Sequence, residues 1–335
     1  MNNIFANIQG DKTLWAVLIL LAGFSFLPVY SAASNLAYVS GSGNTFNYLF
    51  KHFIHLSLGF TFMYLMQKIP YHYFRGISIL MIPVVIVLLL YTIFQPSVTD
   101  SLTNTNRWIK IPFVGFTFQP STLAGVILMI YVSRYLAKIK DIDVRFSQTI
   151  LPLWIPTLFI LLLILPANFS TTAIIFSMVI LLCFVGGYPI KHLLAIVLSG
   201  ILVLSIFILT IKAYPGIFPN RVDTWKSRIE NFVNKENTTE NYQIEKAKIA
   251  IATGGVRGLG PGKSVQKNFL PQSSSDFIFA IIIEEYGLIG GLFLLTVYAL
   301  FLLRIIIISN KAESVFGSLL VLSLIHISEP TRQIR

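Results

Sequence analysis

Three carboxylates stand where a polar stretch meets a long apolar run, in the last quarter of the 335-residue chain. Asp276 ends the polar stretch, and Glu284 and Glu285 follow inside the apolar run. If that run crosses a membrane, such residues cost at least about 2.5–3.5 kcal/mol each and are by default functional candidates. Asp276 could act as a general base in a partly dehydrated opening at the outer end of the membrane helices, or it could cap the following helix. Both roles stay open, and the two glutamates, about 12 Å deeper, are candidate supporting groups.

A basic, glycine-rich segment precedes these carboxylates and reads Gly254-Gly-Val-Arg-Gly-Leu-Gly-Pro-Gly-Lys-Ser264. A phosphate loop needs a glycine five residues before its Gly-Lys-Ser, and Arg257 occupies that place. The glycines at 258, 260 and 262 alternate, which does not fit the dinucleotide-binding spacing either. We interpret the segment as a flexible backbone that approaches a ligand closely, with Arg257, Lys263 and Lys267 as substrate-binding cations.

A second set of candidates lies in a shorter polar stretch. Arg107 and Lys110 could bind phosphate, and Trp108 could lie under a sugar ring. Taken alone, this stretch is better interpreted as an aromatic anchor at a membrane interface with basic neighbours. Gln119 and Ser121 follow at the start of the next apolar run and are candidate supporting residues.

The composition places all these residues in a membrane protein. The chain is 55% hydrophobic and 12% charged, with a mean hydropathy of +0.75, whereas a soluble domain carries about 25% charged residues. Apolar runs long enough for a spanning helix predict eight spans, with a ninth that begins near Val315. The eight cover residues 14–33, 50–66, 77–94, 121–137, 149–165, 171–187, 193–211 and 277–303.

The basic residues predict the orientation of these spans. Ten Lys and Arg residues flank one set of span ends and three flank the other, so the N-terminus is expected in the cytoplasm. The loop from about 212 to 275 then lies outside, with ten basic and five acidic residues. This charge suits an anionic headgroup or a phosphate-bearing lipid, but a merely solvated loop explains it equally well.

An apolar stripe within this loop predicts a short amphipathic helix over Tyr242–Ala252. Ile244, Ala247 and Ile251 recur at helical spacing. The helix could lie on the membrane surface or pack within the loop.

Together these residues resemble the SEDS family of bacterial cell-wall polymerases, whose members include FtsW and RodA. The resemblance covers the chain to about Val321, and its beginning and the Tyr30–Ser34 segment are closer to the division members (FtsW) than to the elongation members (RodA). The stretches that carry it are Ala252–Lys263, Leu270-Pro271, Ser275–Phe279 and Glu284–Leu288, with Arg107-Trp108 and Gln119–Ser121 in support.

The resemblance implies an all-α polytopic membrane helical bundle and an enzyme. SEDS proteins have ten spans, of which this chain has about eight and a half. The implied activity is a peptidoglycan glycosyltransferase that polymerises lipid II into glycan strands at the outer face of the bacterial cytoplasmic membrane, in cell division. The family's essential aspartate corresponds to Asp276, which would activate the acceptor hydroxyl, with Mg²⁺ or Mn²⁺ as the divalent cation if one takes part.

The implied partners are lipid II, a class B penicillin-binding protein and other divisome proteins at the septum, and no nucleic acid is expected. Three alternatives remain: a lipid II flippase, a RodA-like elongation polymerase and a non-catalytic scaffold.

Two departures from the family pattern stand out. The family's Glu-x-x-Lys after Gln-Pro-Ser is replaced by Thr122 and Gly125, so both members of a charge pair are absent together and we assign no role there. Residues 322–335 resemble a translated sequencing adaptor. We therefore expect 1–321 to form the transmembrane domain and 322–335 to be a non-native tail that replaces the parent's last spans, so activity is expected of the full-length parent.

Overall fold

The computed structural model describes residues 10–39, 45–95, 108–110, 117–140, 142, 144–213, 239–270 and 276–327. Most of these residues are helical, and each predicted span coincides with a helix. The helices are α1 Lys12–Val39, α2 Thr45–Met66, α3 Tyr73–Phe94, α4 Pro120–Ile139, α5 Phe146–Thr149, α6 Ile155–Ile164, α7 Phe169–Val185, α8 Ile190–Ala213, α9 Thr239–Gly254, α10 Ile278–Asn310 and α11 Val315–Ile327. A π-helical turn, Ile150–Trp154, joins α5 to α6, and a 3₁₀ turn covers Gln266–Asn268.

The predicted all-α membrane class is confirmed, with two differences in detail. Five described helical segments are long and apolar enough to cross a membrane, namely Lys12–Ser34, Tyr73–Phe94, Pro120–Ile139, Phe146–Ile164 and Ile278–Asn310. Three predicted spans are not among them. Lys51, His52 and His55 lower the hydropathy of α2, and the apolar segments Phe169–Val185 of α7 and Ile190–Ile206 of α8 are shorter, in the range of 10–17 residues. The polar stretch before α4 also contains an unpredicted antiparallel pair, β1 Ile109–Lys110 with β2 Thr117–Phe118.

The chain divides into two compact units. The described residues of the first come from Met1–Lys68 and Leu204–Arg304, and those of the second from Ile69–Val203 and Ile305–Glu329.

The second unit is built around α4, which contacts α3, α7 and α11. Ala124, Leu128, Val132 and Leu136 recur every four residues along one face of α4 and are all fully buried. A Cβ atom on Gly125 would lie 3.4 Å from Cδ1 of Ile175 on α7. At this departure from the family pattern, α4 therefore packs closely against α7.

A buried network of polar side chains lies in the same unit near α5. The Tyr188 hydroxyl lies 2.7 Å from Oγ1 of Thr149 and accepts a hydrogen bond from Nε1 of Trp154 at 3.2 Å. Because buried polar groups are costly when unpaired, this network fixes the loop after α7 against the π-helical turn.

In the first unit, α1 packs along α2. Nε2 of His52 lies 2.8 Å from Oγ of Ser25, and the His52 ring meets the edge of Phe26. At the start of α1, the Asp11 carboxylate accepts a hydrogen bond from Nε of Arg304 at 2.8 Å and lies 2.6 Å from Nη2 of the same guanidinium. Asp11 also accepts the backbone N–H of Leu14 at 3.0 Å, so it caps α1 as well.

Candidate functional site

The helix that follows Asp276 is broken at one residue. Gly287 in α10 has φ 71° and ψ −174°, which is not helical. The break removes the helical hydrogen bonds that Leu288 and Ile289 would donate to the carbonyls of Glu284 and Glu285. In an apolar membrane interior each unsatisfied backbone group costs several kcal/mol, so these four groups need other partners.

The glycine-rich loop supplies all four partners. Two of its N–H groups bond the freed carbonyls, and two of its carbonyls accept the freed N–H groups. The bonds are Leu259 N to Glu284 O (2.9 Å), Gly260 N to Glu285 O (2.9 Å), Leu288 N to Gly255 O (2.9 Å) and Ile289 N to Val256 O (3.3 Å). The loop therefore restores the backbone hydrogen bonds that the helix loses.

Glycine is required at the points where the two backbones touch. A Cβ atom would lie 2.1 Å from the carbonyl oxygen of Ile283 if added to Gly254, and 2.3 Å from that of Glu285 if added to Gly258. The sequence predicts that these glycines let the loop backbone approach a ligand closely. At Gly254 and Gly258 this prediction is wrong, because the backbone that they approach is that of α10.

The two glutamates are almost completely buried, at 0% and 1% exposure for Glu284 and Glu285. The Glu284 carboxylate accepts the Ser264 hydroxyl and the backbone N–H groups of Val265 at 3.1 Å and Gln266 at 3.3 Å. These donors lie at the start of the 3₁₀ turn, where free N–H groups favour a negative charge. Glu284 therefore joins α10 to the segment that follows the glycine-rich loop.

Lys267 and Glu285 meet at Ser31 of α1, a residue of the Tyr30–Ser34 segment to which the sequence assigned no role. The Ser31 hydroxyl donates to Oε1 of Glu285 and accepts from Nζ of Lys267 at 3.2 Å. Nζ of Lys267 also donates to the carbonyl of Gly262 at 2.8 Å. Ser31 lies more than 230 residues from its partners in sequence, and its type alone carries no signal of this contact.

Asp276 lies just ahead of α10 and is partly buried. The first helical hydrogen bond joins the N–H of Ile281 to the carbonyl of Phe277 at 3.2 Å, which places Phe277 at the N-cap position. Arg257 and Lys263, on the glycine-rich loop of the same unit, are both exposed. The first unit thus contains Asp276, the glutamate pair and all three predicted loop cations.

The other predicted residues belong to the second unit. Trp108 is partly buried, and the backbone of Lys110 pairs with Thr117 in the β1–β2 hairpin. Gln119 is the N-cap residue of α4, and Ser121 is buried in its first turn. Arg107 lies outside the described residues.

Helix α9 forms where it was predicted, but the predicted stripe is not its buried face. Ile244 and Ile251 are exposed, at 47% and 39%, whereas Ala250 is fully buried. The described part of the chain therefore leaves Ile244 and Ile251 uncovered, and the position of the stripe on the membrane surface stays a prediction. Among the residues whose placement is described, no group of three or more His, Cys, Asp or Glu side chains could hold a metal ion.

Comparisons with known proteins match nearly the whole chain. Residues 11–328 fit the family model FTSW_RODA_SPOVE, described as "Cell cycle protein". The "Probable peptidoglycan glycosyltransferase FtsW" of Marinomonas mediterranea is 31% identical over 313 residues, which are 92% of this chain and 73% of that protein. The protein of the same name from Coxiella burnetii is 28% identical and aligns over 92% of this chain and 81% of its own length.

Solved structures share the fold. A chain of a peptidoglycan synthase complex, studied for its coordination of polymerization and crosslinking, aligns with a TM-score of 0.68 and 18% identity over 95% of this chain and 83% of that one. The rod shape determining protein RodA of Thermus thermophilus aligns with a TM-score of 0.62 and 18% identity over 95% of this chain and 81% of its own. With the family match across residues 11–328, the chain belongs to the FtsW/RodA/SpoVE family of cell cycle proteins.

Proposed function

We propose that this protein is a peptidoglycan glycosyltransferase that polymerises lipid II during cell division. The observation that carries the proposal is Asp276, which stands at the head of α10 in the unit whose loop exposes Arg257 and Lys263. The family membership and the name of the FtsW relative at 31% identity support the same reaction.

In the proposed reaction, the 4-hydroxyl of the acceptor's GlcNAc attacks the anomeric carbon of the donor chain. Asp276 accepts the hydroxyl proton as the bond forms. The lipid pyrophosphate leaves with its charge stabilised by Arg257 and Lys263. Arg107, Lys110 and Trp108 remain sequence-based candidates for substrate binding. The sequence places Lys267 in this cationic set as well, but its ammonium contacts Ser31 and Gly262.

A divalent cation would depend on Asp276. Carboxylate oxygens are the ligands that Mg²⁺ takes in proteins, but Glu284 and Glu285 accept hydrogen bonds from donors of the fold. The cation, Mg²⁺ or Mn²⁺, would therefore be held by Asp276 together with substrate oxygens, and its chemistry would be to neutralise the leaving pyrophosphate.

We further propose that the protein lies in the bacterial inner membrane with its N-terminus in the cytoplasm and the loop before α10 outside, and that it acts at the septum. The charge asymmetry of the span ends supports this orientation. A class B penicillin-binding protein and other divisome proteins are the proposed partners, and the structural likeness to a chain of a peptidoglycan synthase complex supports the first of these.

The substitution Asp276→Asn tests the proposed chemistry. The assay measures glycan polymer formed from purified lipid II by the protein together with its penicillin-binding protein. Loss of a general base typically costs about 10²–10⁴-fold in rate, so polymer synthesis should nearly vanish. Glu245→Gln, an exposed carboxylate of α9, is the matched control and should retain activity.

Unchanged polymer synthesis by Asp276→Asn would contradict the catalytic assignment. Movement of labelled lipid II across liposomes without polymer would indicate the flippase instead. A tagged copy distributed along the sidewall rather than at mid-cell would indicate an elongation enzyme.

A further inference from the structure

The two buried carboxylates of α10 have different partners. Glu284 accepts hydrogen bonds from three donors of one short segment, Ser264 through Gln266. Glu285 receives one backbone N–H, from Ser264 at 3.3 Å, and one hydroxyl, from Ser31. Within the described part of the chain, Oε2 of Glu285 has no hydrogen-bond partner. Glu285 is therefore the carboxylate that depends more on a nearby positive charge.

Lys267 provides that charge through a single hydroxyl. Because Ser31 gives its proton to Glu285, its oxygen lone pair accepts from the ammonium of Lys267 at 3.2 Å. The second bond of the ammonium, to the carbonyl of Gly262 at 2.8 Å, fixes the side chain against its own loop. A buried carboxylate without a counter-charge is strongly destabilising, whereas removing both charges of a pair is often tolerated.

The carboxylate that Lys267 neutralises lies on a short piece of helix. The segment from Ile278 to Tyr286 ends at the Gly287 break, and Asp276 stands two residues before it. Beyond the break, helical hydrogen bonds no longer fix the direction of this segment, so its side-chain and loop contacts must do so. The Lys267–Ser31–Glu285 contact joins it both to the loop and to α1.

We propose that Lys267 is a positioning residue: through Ser31 it neutralises the buried Glu285 and so holds the half-helix that begins next to Asp276. This assignment replaces the sequence-based one, in which Lys267 binds the substrate pyrophosphate. Its effect on catalysis rests on the proposed function, but its effect on stability does not.

The test is a double-mutant cycle on the purified protein in detergent. Lys267→Met leaves Glu285 buried without its counter-charge and should lower the Tm by about 5 °C or more. The Lys267→Met/Glu285→Gln double variant contains no orphan charge and should recover most of that loss. Lys263→Met removes an exposed lysine of the same loop and should leave the Tm unchanged. If Lys267→Met alone does not fold, recovery of monodisperse protein in the double variant is the expected result.

The kinetics of polymer synthesis separate positioning from substrate binding. A displaced Asp276 should reduce kcat by about tenfold or more with the KM for lipid II unchanged, and the double variant should regain activity. A lysine that binds pyrophosphate would instead raise KM, and adding Glu285→Gln would not lower it again. A double variant no more stable than Lys267→Met, or a raised KM with an unchanged Tm, would overturn the proposal. If the wild type made no polymer, the proposed function would fail while the Tm cycle still decided this inference.

Discussion

The substitution Gly287→Ala should separate the glycine-rich loop from the helix it completes. At φ 71° and ψ −174°, a residue with a Cβ atom is strained by about 1–3 kcal/mol. The added Cβ would also lie 2.2 Å from the carbonyl oxygen of Val256. That oxygen belongs to the loop backbone and cannot rotate away as a side chain would, so the loop must move away from α10.

The distance by which the loop must move determines the expected decrease in the free energy of unfolding. Ordinary contact with a Cβ atom begins at 3.4 Å, so the loop must move by more than an ångström. Such a movement breaks hydrogen bonds that are now 2.9–3.3 Å long. Each bond contributes about 0.5–1.5 kcal/mol net. Four broken bonds together with the backbone strain amount to a loss of at least about 3 kcal/mol in the free energy of unfolding.

Gly262→Ala is the matched control, because Gly262 also has positive φ, at 76°, but nothing lies within 4 Å of its added Cβ. It should lose only the backbone strain of about 1–2 kcal/mol. At about 2–4 °C per kcal/mol, thermal unfolding in detergent should show a Tm lower by at least about 6 °C for Gly287→Ala and a smaller decrease for the control. Equal losses in the two variants would refute the argument that the loop completes the broken helix.

Two further substitutions test contacts outside this loop. The Arg304 hydrogen bond holds the pKa of the Asp11 carboxyl below its ordinary value. The stabilisation is therefore complete above about pH 4 and is lost as the pH falls through the lowered pKa. Asp11→Asn should lower the Tm at pH 7, and its difference from the wild type should shrink as the pH drops below about 4; a constant difference would contradict this. Tyr188→Phe removes a buried hydroxyl with two side-chain partners and should lower the free energy of unfolding by about 1–3 kcal/mol. Its control is Tyr298→Phe, at a residue that is 46% exposed, which should leave the Tm unchanged.

The sequence by itself determined the class of the protein and the positions of its helices. Apolar runs such as the one over α3 are local, because every residue of a spanning helix must suit the bilayer whatever lies beside it. The same locality made Asp276, Glu284 and Glu285 conspicuous, since charges are costly at the edge of or within an apolar run. The ordered motifs also sufficed to indicate the family.

Only the tertiary structure decided what the glycines and the loop cations do. Gly254 and Gly258 touch the backbone of α10, and a contact between backbones about 30 residues apart leaves no periodic pattern to read. Lys263 and Lys267 are both lysines of one basic loop in the sequence, yet one is exposed and the other bonds Ser31 on α1. That difference arises because charge type is local, whereas the partner that satisfies a charge is set by how distant segments pack.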